Sequence, residues 1–255
     1  MSWENTYLQF KSGSQLDGIL ANQKRQASFD QFLAQGLPTR KEEAWKYTSL
    51  SDFKSIDWQP TASAEEFLTH EQLQEVSKLL PLEFYNLVFV NGFLNQTLSD
   101  ELPAEITLQD VLADDFNKNE QHVEGHLLNL ADSFLSKKLV IDIKKNKVFS
   151  KPVQIMFVQS TAQSVYLSQK VVLKAGENTE LSLIVNTFSF ANSKAEAANL
   201  NLQVDAAQSA RLKLIQIQND NLSSFNFTQV EVNLATQVQF QSLVMSLGSQ
   251  LTRNY

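Results

Sequence analysis

Val171-Val172-Leu173-Lys174-Ala175-Gly176-Glu177-Asn178-Thr179-Glu180-Leu181-Ser182-Leu183-Ile184 decides the fold. It is two apolar-alternating strands around a small polar turn, and it comes back twice. Val171, Leu173, Ala175, Leu181, Leu183 and Ile184 recur 31 residues later as Leu202, Val204, Ala206, Leu212, Leu214 and Ile215. They recur 28 residues after that as Val230, Val232, Leu234, Phe240, Ser242 and Leu243. A period near 30 residues marks units that cannot bury an inner face alone and must stack. Two strands per unit and almost no helix signal predict a β-solenoid with equivalent strands stacked in parallel. An antiparallel sandwich with coincidental spacing is the alternative. The alternation slips phase at 183/184, 214/215 and 242/243, which predicts a recurrent bend or bulge. The many Asn and Gln residues suit outward ladders or solvated faces.

Working outward, the first 80 residues read as helical. Gln15 to Gln35 carries Leu16, Ile19, Leu20, Phe29, Phe32 and Leu33 at helical spacing, and Glu65 to Leu80 is amphipathic up to Pro81. Leu87-Val88-Phe89-Val90 is a β-type run followed by Asn91-Gly92, a hairpin turn, with Phe93-Leu94 returning. Ile106 to Phe116 reads as weakly helical, Gln121 to Ser136 as a helix, and Leu139 to Ile143 as the first strand of the β-rich half. The expected organisation is α+β: residues 1–137 a mainly helical domain, residues 138–255 a partial β-helix.

The chain has 255 residues and a net charge of −7, which argues against non-specific nucleic-acid binding. It has no cysteine, which excludes disulfides, thiolate metal sites and Cys nucleophiles. Met1-Ser2-Trp3-Glu4-Asn5 lacks the basic and apolar regions of a signal peptide, and no apolar stretch reaches membrane-spanning length. A soluble, cytoplasmic protein is expected.

Leu37-Pro38-Thr39-Arg40-Lys41-Glu42-Glu43-Ala44-Trp45-Lys46-Tyr47-Thr48 concentrates punctuation and charge. Gly36 suits a left-handed residue closing a helix, and Pro38 cannot continue one. Thr39 and Glu42 have capping-box spacing, so a second short helix should begin there, with Arg40, Lys41 and Glu43 solvated. The plain physical reading is a helix–turn–helix corner stapled by a buried Trp45. A ligand site is the lesser reading, because nothing in the run is nucleophilic or metal-binding.

That run resembles an N-terminal signature of the SufB/SufD family of the SUF iron–sulfur cluster assembly system, and Trp45-Lys46-Tyr47-Thr48 resembles its SufD branch. Leu87 to Phe93 with Leu98-Ser99, Leu128-Asn129-Leu130-Ala131, and Leu139 to Ile143 through Lys151-Pro152-Val153-Gln154-Ile155 are similar to further family elements, in the same order. Asn91 stands where the family more often has Asp. The resemblance implies a helical N-terminal domain, a right-handed parallel β-helix and a C-terminal helical domain. It implies a non-catalytic scaffold subunit that pairs with SufB and the SufC ATPase. The iron–sulfur cluster would be assembled on the intact complex, with no cofactor held by this chain itself. Leu247 to Tyr255 resembles a mid-core segment, so the later coils and the C-terminal domain are expected to be absent. The SufC and SufB docking regions would be absent with them, and self-association through an open solenoid end would follow.

No catalytic, cofactor-binding or metal-ligating residue is assigned. His122 and His126 share an i, i+4 face, but the intervening Glu124 is misplaced for the zinc motif and no third ligand is evident; a solvated face is expected, and a surface position for His70. Glu42-Glu43 and Asp114-Asp115 are adjacent pairs whose side chains point apart on a helix. Lys144-Lys145-Asn146-Lys147 reads as a solvated turn. No Walker phosphate loop or nucleophile elbow is present. A polysaccharide-acting β-helix enzyme needs grouped carboxylates, and residues 151–255 hold only Glu177, Glu180, Glu196, Asp205, Asp220 and Glu231. A generic β-repeat interaction module is the remaining alternative.

Overall fold

The structure, a computed structural model, describes residues 2–13, 19–61, 68–112 and 125–255. Its frame is a parallel β-solenoid of about four coils. Each coil places one strand in each of two sheets: β5 (Lys137–Ile143) with β6 (Val153–Gln159), β7 (Val165–Ala175) with β8 (Glu180–Ser189), β9 (Glu196–Ala206) with β10 (Arg211–Asn219), and β11 (Phe225–Leu234) with β12 (Gln239–Ser246). The short β13 (Leu251–Asn254) follows. The first sheet runs β13-β11-β9-β7-β5 and the second β12-β10-β8-β6.

The pairing register is the one the repeat predicts. Val171 pairs with Leu202 and Leu202 with Val230, and Leu173, Val204 and Val232 line up likewise. In the second sheet Leu181, Leu212 and Phe240 form one ladder and Leu183, Leu214 and Ser242 another. These inward side chains make the apolar core between the sheets.

The predicted bulge is absent. Pairing runs unbroken through Leu183–Ile184 and Leu214–Ile215. The inward set continues as Leu181, Leu183, Val185 and Thr187, and as Leu212, Leu214, Gln216 and Gln218. Ile184 and Ile215 are a ladder on the outer side. The apparent slip arose because an outward apolar residue adjoins the inward ones. The Asn and Gln reading is corrected for the same reason: Gln216, Gln218, Asn199 and Asn226 are buried.

Coil corners have a shared device. Asn146, Asn178, Ser209 and Gln237 all have positive φ, between 54° and 62°, at the third position after a strand of the first sheet. Asn178 Nδ2 donates to Asn146 Oδ1 at 2.9 Å, and Ser209 Oγ to Gln237 Oε1 at 3.2 Å. Asn tolerates this conformation best among residues with a side chain.

Both sheets also take strands from before residue 137. β1 (Gln59–Pro60) pairs with β7, and β2 (Tyr85–Val90) pairs in parallel with β6. β2 turns at Asn91-Gly92 into β3 (Phe93–Leu94), as expected, with both turn residues at positive φ. Ile106 to Leu112 is not helical: it is β4, antiparallel to β5 along its whole length. Ile106 joins the solenoid core there and Leu108 packs against it, a tertiary pairing that overrides a weak local preference. Residues 113–116 lie outside the described set.

Helices cover the outer faces. α1 (Trp3–Gly13), α2 (Ile19–Gln35), α3 (Ser51–Ser55) and α5 (His126–Ser133) build an aromatic layer against the outer face of the first sheet. Phe32, Phe53, Trp58 and Phe134 meet Tyr166, Phe225 and Phe227 there. α4 (His70–Ser77) begins at a capping box of Thr69 and Gln72 and lays Val76 on Val88, Met156 and Phe188 of the second sheet. The predicted segments Gln15–Gln35, Glu65–Leu80 and Gln121–Ser136 contain α2, α4 and α5, and their first residues fall outside the described set. The helix expected from Thr39 is a single 3-10 turn, Glu43–Trp45. Half of the capping box survives, with the Thr39 N–H donating to Glu42 Oε1 at 2.7 Å. The segment is too short to repay helix nucleation, and i→i+3 bonds hold it instead.

Candidate functional site

The run from Leu37 to Thr48 is gripped from two sides. Gly36, at φ 69°, closes α2 as predicted. His126, at the start of α5, places Nδ1 2.7 Å from the Gly36 carbonyl and Nε2 3.0 Å from Glu42 Oε2. Both neighbours are acceptors, so the ring donates to both when it carries two protons. On the other side Trp45 is buried beneath Arg253 of β13, 4.1 Å from ring centroid to guanidinium. Arg253 donates from Nη1 to Thr48 Oγ1 at 3.1 Å and from Nη2 to the Ala44 carbonyl. Gln250 Nε2 donates to Asp52 Oδ2 at 2.7 Å. The run is a staple between the helical layer and the fourth coil.

The same run frames a cavity of about 630 Å³, set among α1, α2 and residues 36–58. Its walls include Trp3, Phe32, Leu50, Ile56 and Trp58, and its lining also includes the charged side chains of Arg40, Lys54 and Glu4. The Glu4 carboxyl is held below its usual range by its own backbone N–H first and then the Ser2 hydroxyl.

Inside the solenoid the apolar core gives way to a polar end where the second sheet's strands turn into the first. Asp220 Oδ2 accepts from Gln218 Nε2 and Asn226 Nδ2, each at 3.1 Å, and from Thr187 Oγ1 at 3.2 Å. Burial raises its pKa, and these donors offset part of the rise. Glu196 has no exposed surface. Burial pushes its carboxyl up to about 8; the Ser189 hydroxyl opposes this and the Asp220 charge adds to it. The hydroxyls of Ser189, Ser193 and Ser224 lie around Glu196 without an aligned hydrogen bond to either oxygen.

Among the residues picked from sequence, His126 is not on a solvated face: it is a half-buried tether. His122 and Asp114-Asp115 lie outside the described residues. His70 is exposed, with Nε2 3.1 Å from Gln74 Nε2. Glu42 turns to His126 while Glu43 stays in water. The Lys144–Lys147 turn is exposed at Lys144, Lys145 and Asn146, and it is tied down: Lys144 Nζ donates to the Ala104 carbonyl at 2.8 Å and Lys147 pairs with Glu105 at 3.1 Å. Among the described residues no three His, Asp or Glu side chains are grouped to hold a metal. Sequence reasoning passed over Glu196, Asp220 and Arg253. Glu196 could have been found, because it is in phase with Ala198, Leu200 and Leu202 on the inward face.

A helix-clad parallel solenoid, stapled by an N-terminal Trp–Lys–Tyr–Thr run, is the class of protein this geometry defines. Residues 12–155 match the family model of the SufBD protein N-terminal region, and residues 157–255 match that of the SUF system FeS cluster assembly SufBD core domain. The chain belongs to the SufBD family. It is 24% identical to an iron–sulfur cluster assembly SufBD family protein of Synechocystis, an alignment covering 93% of this chain and 56% of that protein. It is 25% identical to the iron–sulfur cluster assembly protein SufD of Escherichia coli, again over 93% of this chain and 56% of the relative. The chain thus spans little more than half the length of these relatives. Among the described residues no helix is long and apolar enough to cross a membrane.

Proposed function

We propose that this chain acts as a non-catalytic scaffold in iron–sulfur cluster assembly, of the SufD kind, in the cytoplasm. In the intact assembly it would pair with a SufB-type partner and a SufC-type ATPase, and the cluster would form on the complex. The match of both family regions in order along the chain carries this reading. The stapled signature supports it: Leu37 to Thr48 is engaged in holding helices to coils, which is structural work. The sequence has no Walker loop, so nucleotide chemistry is assigned to the partner. SufC docking is assigned to parts of the family outside the matched stretch. Pull-down and ATPase assays test both assignments. The purified chain should neither hydrolyse ATP nor retain SufC. Hydrolysis by the chain alone contradicts the non-catalytic role, and firm retention of SufC contradicts the placement of the docking region.

A further inference from the structure

The cavity beside the signature run joins two chemistries that its structural role does not need. One side is apolar and aromatic, with Trp3, Phe32 and Trp58 in its lining. The same lining carries two cations that the fold leaves largely unused. Arg40 commits only Nε, to the Lys46 carbonyl at 3.3 Å, and among the described residues Lys54 has no hydrogen-bond or ion-pair partner. The single acid of the lining, Glu4, is already engaged by its own N–H and Ser2. Thr39, Thr48, Ser49 and Ser51 add hydroxyls on the same side as the signature run. A volume near 630 Å³ lies within the ordinary range for small-molecule sites, which are mostly apolar with a few polar groups fixing orientation.

We infer that this cavity binds a small amphipathic anion, with an aliphatic or aryl body against Trp3 and Trp58 and a carboxylate at Arg40 and Lys54. The apolar body supplies most of the affinity through burial. The head group sets specificity, because a carboxylate accepts charge-assisted hydrogen bonds from a guanidinium and an ammonium that a neutral alcohol does not match. The site lies on the helical layer, away from the strand edges of the solenoid, so it is independent of the proposed pairing with partner proteins.

Two of the chain's three tryptophans line the cavity, so intrinsic fluorescence reports on it directly. Dodecanoate, titrated below the concentration at which it self-associates, should shift or quench that emission saturably. Arg40→Gln with Lys54→Gln changes two exposed side chains and should weaken dodecanoate at least about tenfold. Dodecanol should bind wild type about as weakly as dodecanoate binds the double variant. Leu33→Trp, at a half-exposed lining position, should block the site and remove the saturable dodecanoate-dependent change. The proposal is overturned by any of three results: no saturable change in wild type, equal dodecanoate affinity in the double variant, or equal affinity for the alcohol. Fatty-acid uptake elsewhere, such as on exposed strand edges, would give one of these results.

Discussion

The Arg253 guanidinium sits 4.1 Å from the centroid of the Trp45 ring, joining the fourth coil to the N-terminal signature. The contact is partly desolvated, and it adds hydrogen bonds to Thr48 and the Ala44 carbonyl. Lysine keeps the charge but loses the planar fork and the stacking. Arg253→Lys should therefore cost about 1–2 kcal/mol in urea unfolding. In a Trp45→Leu background the same change should cost clearly less, since a shared contact makes the two effects non-additive. Equal costs in both backgrounds would show that the ring does not contribute.

Coils approach each other too closely at two glycines to admit a side chain. A Cβ on Gly176 would come within 2.6 Å of the Lys145 nitrogen and 2.8 Å of the Ile143 carbonyl oxygen. A Cβ on Gly248 would fall on the Asp220 carbonyl oxygen. The obstacles are backbone atoms of the preceding coil, so the stack itself must move. Gly248→Ala should destabilise by about 2 kcal/mol or more, and Gly176→Ala should follow in the same direction. Thermal unfolding of both variants checks this; unchanged midpoints would place the coils farther apart.

Glu196 makes stability depend on pH in an unusual direction for a carboxylate. Its folded pKa is raised to about 8, above its unfolded value. The stability gained from holding that proton is fully present below the unfolded pKa, near about 4.3, and is lost as pH rises through about 8. Asp220, also raised, acts in the same sense. Between roughly pH 5 and 8 the chain should lose stability on the order of a few kcal/mol from this group. Glu196→Gln keeps the shape without the ionisation, so its unfolding free energy should be higher at pH 8 and flatter across that window. A wild-type profile that rises from pH 5 to pH 8, unchanged by Glu196→Gln, would contradict the assignment.

Strand edges of the fourth coil are unpaired in this chain, and Leu243, Val244 and Met245 are exposed on β12. Such edges template further pairing. The 255-residue chain in isolation should form concentration-dependent oligomers by light scattering, and Leu243→Lys with Met245→Lys should suppress them. A monodisperse wild-type monomer across a wide concentration range would count against this.

The solenoid was legible because stacking forces a repeat: Val171, Leu202 and Val230 must be alike to share one ladder, and period-2 alternation exposes them. Its turns were legible where one residue type answers a steric need, as at Asn91-Gly92 and Gly36. What escaped were features set by partners distant in sequence. β4 is a strand because β5 offers it an edge. Ile184 looked like a phase slip because no sequence rule separates an outward isoleucine from an inward one. The Trp45 staple was foreseen as a buried corner, while Arg253, which covers it, was not, since nothing local links the two. Glu196 and Asp220 were treated as scattered acids because a strand's inward face was assumed to be apolar throughout.

The stacking register is tested most directly by spin labels, for which a cysteine-free chain is well suited. Lys174 and Asp205 are neighbours across β7 and β9, and Asp205 and Asn233 across β9 and β11. Nitroxides on either pair should show strong dipolar broadening, as adjacent strands lie about 4.8 Å apart. A pair on Lys174 and Ser182 should not, because those residues belong to different sheets. Broadening for Lys174 with Ser182, and none for Lys174 with Asp205, would mean antiparallel hairpins and would contradict the solenoid.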